Sequence, residues 1–90
     1  MKTKIGEVKE DIYPKGEEIC LKHLLYIYYR FPNKENVKVM YPKTLVVADD
    51  GHQVIDSHGG EHFIPSGLNG FIHIKSKRHD ETEEKDILVE

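Results

Sequence analysis

From Asn36 to Lys75 no apolar stretch runs far before a reversal signal interrupts it, and this punctuation constrains the fold more than any other feature. Short β-branched runs at Val37 to Tyr41, Thr44 to Asp49, His52 to Asp56, Glu61 to Ile64 and Gly70 to Lys75 each read as strands. Asp50-Gly51 is the dipeptide that a two-residue type I′ hairpin favours, because both central residues then take positive φ. Gly59-Gly60 suits the same reversal one strand later, and Pro65-Ser66-Gly67 with Asn69-Gly70 breaks the chain before the last strand. The expectation is an antiparallel meander of about five short strands over residues 36–75.

Upstream, residues 17–31 admit two readings. On a helical wheel, Cys20, Leu21, Leu24, Leu25, Ile27, Tyr28 and Phe31 fall within an arc of roughly 160°, with Glu17 and Glu18 at the positive end and Pro32 as the stop. As a strand, Ile19, Leu21, Leu25, Ile27, Tyr29 and Phe31 share one parity. Such a strand would be unusually long and would place His23 on its apolar face. The sequence therefore predicts a helix at about 17–30 packed on one face of the sheet, an α+β fold. Cys20 would be a buried, inert thiol on its apolar side. Residues 1–15 are polar, with isolated apolar positions at Ile5, Val8 and Ile12, suited to a short strand or a loose arm. The compact domain is expected to span residues 1–76. Residues 77–90 are expected to be a charged, mobile tail whose terminal Ile87-Leu88-Val89 could dock on a sheet edge or a partner.

A chain of 90 residues holds one modest core and leaves little room for a buried reactive centre with supporting shells. One cysteine cannot close an internal disulfide, the start lacks an apolar signal segment, and no run approaches membrane-spanning length; the expected location is cytoplasmic, or host-cytoplasmic if phage-encoded. The lean toward Lys, Glu, Ile and Tyr resembles proteins of A/T-rich bacterial genomes and their phages or plasmids. Charge is uneven: residues 1–45 carry nine Lys/Arg against six Asp/Glu, and residues 46–90 carry four against ten. Neither half has the basic excess of a strong nucleic-acid binder.

Six histidines make a metal site the most tempting chemistry, with Asp56, His58 and His62 as ligands for zinc or nickel. A two-glycine hairpin opposes it. His58 would face Glu61, Ser57 would face His62 and Asp56 would face Phe63, sending the two imidazoles to opposite sides of the sheet. Ser57 and His58, as strand neighbours, would likewise point apart, so no activated nucleophile is expected and no cofactor is implied. The functional expectation is a small non-enzymatic protein-binding module, a modulator or inhibitor of another protein. Contact would run through Tyr26, Tyr29 and Arg30 on the outer helix face, and through Val47, Val54 and Phe63 (with Leu45) on an outer sheet face. One helix cannot cover both sheet faces, which makes a homodimer a natural expectation. Metal binding, and weak single-strand nucleic-acid binding through lysines interleaved with aromatics, are the alternatives.

Overall fold

A computed structural model describes residues 10–89. It is all-β, 58% strand and 0% helical, so the expected α+β fold with a helix over 17–30 is incorrect. Nine strands follow in order: β1 Glu10–Tyr13, β2 Glu18–Cys20, β3 Leu24–Arg30, β4 Val37–Met40, β5 Pro42–Ala48, β6 Gly51–Asp56, β7 Glu61–Pro65, β8 His73–Arg78 and β9 Lys85–Val89. They form a five-stranded sheet of order β1-β9-β8-β3-β4 and a four-stranded sheet of order β2-β5-β6-β7.

Both objections to a strand over 17–31 disappear because the segment is two strands in different sheets. The chain turns at Leu21–Leu24, closed by Leu24 N–H donating to the Leu21 carbonyl at 2.9 Å, and His23 stands exposed at this corner. A register irregularity between Leu24 and Tyr26 shifts the phase once more, so that Leu21, Leu24, Ile27, Tyr29 and Phe31 all point inward. The turn and the bulge together give apolar spacings that imitate helical periodicity, although Ile27 and the three tyrosines of β3 favour a strand. Cys20 is exposed, contrary to the buried thiol expected of the helix.

The strands β2–β3 and β4–β5 make one long hairpin folded over on itself. β3 pairs with β4 in the first sheet and β2 with β5 in the second. The return strand bends at Tyr41, which takes φ 52°, a left-handed conformation that is costly for a bulky residue. Hydrogen bonds from Tyr41 N–H to the Leu25 carbonyl and from Leu21 N–H to the Lys43 carbonyl, both 2.8 Å, carry the ladder round the corner. β6 and β7 extend the second sheet, and residues 66–72 return the chain to the first, where β8 pairs with β3.

The expected domain boundary at residue 76 falls inside β8. From the segment expected to be a tail, β9 pairs antiparallel with β8 and parallel with β1, and Ile87 is buried. Ile5 and Val8 lie outside the described residues, whereas Ile12 is in β1 and exposed.

The core lies between the inner faces of the two sheets. It combines Tyr13, Leu24, Ile27, Tyr29, Val39, Ile74 and Ile87 of the first sheet with Leu45, Val47, Val54 and Ile64 of the second, plus Leu21 and Phe31 at the turns. Val47 and Val54, expected as outward contact residues, are therefore core residues, and the second sheet covers the face for which a partner copy was invoked. Inside it, the Tyr29 hydroxyl and His52 Nδ1 share a hydrogen bond at 2.7 Å, and Phe71 meets both rings edge-on at 5.0 and 4.9 Å. Tyr29, expected on an exposed helix face, is fully buried.

Candidate functional site

The outer face of the five-stranded sheet is assembled by alternation. Ile27 and Tyr29 of β3 point inward, so Tyr26, Tyr28 and Arg30 point outward together. The ladder sets the neighbours of each. Tyr28 lies between Lys38 of β4 and Lys75 of β8, Tyr26 lies between Met40 and Lys77, and Arg30 lies beside His73. The result is a central line of two tyrosines and an arginine, flanked on both sides by lysines.

Contacts hold these groups in place. Lys38 Nζ sits 4.4 Å from the Tyr26 ring centroid and 5.6 Å from that of Tyr28, each a cation–π contact. Asn36 Oδ1 accepts from Phe31 N–H at 3.0 Å while its Nδ2 donates to the Tyr28 hydroxyl at 2.8 Å, tying the hairpin tip to the face. The Tyr26 O–H donates to Glu84, and Lys75 Nζ lies 4.0 Å from the same carboxylate. Partial burial, reinforced by that hydrogen bond, pushes the Tyr26 pKa up to about 12, so the phenol stays a neutral donor. His73 Nε2 is 2.9 Å from Asp86 Oδ1 on the β9 side. Arg30 is exposed, and among the described residues neither Arg30 nor Lys77 has an ion-pair partner.

Among the side chains described, four cations (Arg30, Lys38, Lys75, Lys77) thus share one face with two carboxylates, Glu84 and Asp86, on a chain whose formal charge is −3. Of the expected contact residues, Tyr26 and Arg30 belong to this face. Phe63 is exposed on the far side of the other sheet, and Tyr29, Val47 and Val54 are inside. Sequence reasoning missed Tyr28, Lys38, Lys75 and Lys77. The signal was the even parity of Tyr26, Tyr28 and Arg30, which the helical reading dispersed.

The Asp56–His62 region is a turn. β6 and β7 pair with Ile55 opposite Glu61, Val54 opposite His62 and His52 opposite Ile64, three residues away from the register of a two-glycine hairpin. The reversal is a three-residue loop, Ser57-His58-Gly59, with Gly59 at φ 85° and Asp56 N–H donating to the Gly60 carbonyl at 2.9 Å. The Asp56 carboxylate accepts from His62 Nε2, Gly60 N–H and His58 N–H, each at 2.9 Å. Those bonds, led by the one from His62, draw its pKa down to about 2. His58 joins only through its backbone, and the Ser57 hydroxyl donates to the Tyr41 carbonyl at 2.8 Å. Among the described residues no three His, Cys, Asp or Glu side chains are grouped to hold a metal ion, and no helix is long and apolar enough to cross a membrane.

No protein-family model matches this chain, and no curated protein or solved structure matches it.

Proposed function

We propose that this chain is a non-enzymatic binding module that holds a negatively charged macromolecule on the outer face of its five-stranded sheet. The observation that carries the reading is the concentration of Arg30, Lys38, Lys75 and Lys77 around Tyr26 and Tyr28 on a net-acidic chain. A regular sheet fixes the spacing of the strands that carry these groups before any partner arrives, which favours association. Their field steers an anionic surface toward this face in preference to the acidic remainder. Tyrosine and arginine also supply the amphipathic area typical of binding hot spots. Support for a non-catalytic role comes from the Asp56–His62 pair, whose neighbouring serine hydroxyl is spent on a backbone carbonyl.

Heparin affinity at low salt tests the charge argument. The triple variant Arg30→Gln, Lys38→Gln, Lys77→Gln should elute at clearly lower salt than the unmodified chain. Lys43→Gln, an exposed change on the other sheet, should leave elution unchanged. Equal retention of all three proteins would sink the proposal.

A further inference from the structure

We infer that the occupant of this face is a single-stranded nucleic acid; the inference rests on the binding reading above and specifies its partner. An acidic protein surface needs only the cations. The face carries in addition two partly exposed tyrosine rings in its central line, alternate residues of β3 and so about 7 Å apart. Rings at this position offer planar surface to successive bases, and stacking of that kind tolerates any base because each has a π-face.

The flanking cations suit the rest of such a ligand. Lys38 stands one strand away on the β4 side, and Lys75 and Lys77 one strand away on the β8 side, each row about 5 Å from the tyrosine line. Phosphates of a strand lying along β3 would meet an ammonium group on either flank while its bases lie over the rings. Arg30 continues the line toward the hairpin tip, where the exposed Asn36 amide is suited to a base edge. Lys38, now over both rings, would trade its cation–π contact for a phosphate. Asp86 bounds the track on the β9 side, whereas the Glu84 carboxylate reaches across to the Tyr26 hydroxyl and Lys75 and would swing aside for a phosphate in the lane between the lysine rows. A duplex keeps its bases stacked inside and would present only backbone to the tyrosines, so the face should discriminate against it.

Fluorescence anisotropy with a labelled twelve-nucleotide oligothymidylate or oligouridylate, titrated with the full chain, tests this directly. Binding should be at least tenfold tighter than to a duplex of equal length. Its logarithm should fall with log salt at a slope of about −2 to −3, as expected when three or four cations each displace counterions from a single strand. Tyr26→Leu and Tyr28→Leu should each weaken binding about tenfold, and Tyr28→Phe should restore it, with circular dichroism confirming the fold. If polyglutamate displaces heparin while the oligonucleotide fails to bind, the occupant is an acidic protein and only this inference falls. If neither oligonucleotide nor polyanion binds, both readings fall. If a leucine variant does not fold, the single-strand-to-duplex ratio of the unmodified chain still decides the matter: a ratio near one overturns the inference.

Discussion

His52 shows how much of a residue's chemistry is set by its surroundings. In the sequence it is one of five histidines between positions 52 and 79; in the fold it is buried between Tyr29 and Phe71. Burial pushes its pKa down from 6.5 to about 4, and burial likewise raises that of the Tyr29 phenol. Both groups are therefore neutral near pH 7 and share one buried hydrogen bond. The depressed pKa fixes the sign of the pH dependence. The folded state resists protonation that the unfolded chain accepts, so this contribution is intact above pH 6.5 and shrinks as pH falls. The loss is complete near pH 4 and amounts to about 3 kcal/mol. Asp56, drawn down to about 2, acts in the same direction in a lower window, its contribution lost as pH falls from 3.8 through about 2. Urea denaturation across pH 4–8 should show the His52 decline, and His52→Gln should flatten it. Tyr29→Phe leaves the buried Nδ1 without its hydrogen-bond partner and should cost about 1–3 kcal/mol.

At the level of elements, two glycines in one hairpin should respond for different reasons. Gly59→Ala meets no atom within 4 Å but must hold φ 85°, a purely conformational cost of about 1–2 kcal/mol. Gly51→Ala drives a methyl into the Ile64 carbonyl oxygen and the Phe63 ring, and should cost more, with a shift of β6 against β7. Thermal denaturation of both variants should show that order; a milder Gly51 change would contradict the packing described.

The strands downstream of Asn36 were legible because Asp, Gly and Pro mark their ends, but the registers between them were not. The β5–β6 turn is Asp49-Asp50, with Gly51 opening β6, so pairing slips by two residues from the Asp50-Gly51 expectation. An even slip preserves faces, and Leu45, Val47 and Val54 did prove to share one. The β6–β7 pairing slips by three, and an odd slip inverts faces: Phe63 leaves that side and Ile64 joins it. Asp56 was the missed cue. Its carboxylate caps the turn, favouring a type I reversal with glycine at its end over a two-glycine one. The helix over 17–30 failed for the related reason that a turn and a bulge shift phase without leaving a glycine or proline mark between Leu21 and Tyr26. Half of the candidate face, Lys75 and Lys77, lay beyond any local signal, since only pairing of β8 with β3 brings it to the tyrosines.

Taken whole, the molecule regroups charge that the sequence holds far apart. Its basic side is built from both halves of the chain, Arg30 and Lys38 from one, Lys75 and Lys77 from the other. The expectation of a C-terminal appendage fails at this scale too, because β9 is an interior strand of the five-stranded sheet. A chain ending at Glu84 should lose β9, leave β1 without its partner and expose the inner face around Ile74 and Ser76. Its melting temperature should fall by more than 10 °C, or cooperative melting should vanish, as read by circular dichroism.

Among the described strands β1 has a single neighbour, and joining them brings Glu10 beside Asp86 across nearly the whole described chain. No other ladder closes so wide a loop: β3 and β8, the next most distant pair, join Leu24 to Arg78. Chain entropy therefore weighs most heavily on this one closure, and any brake on folding speed will sit there.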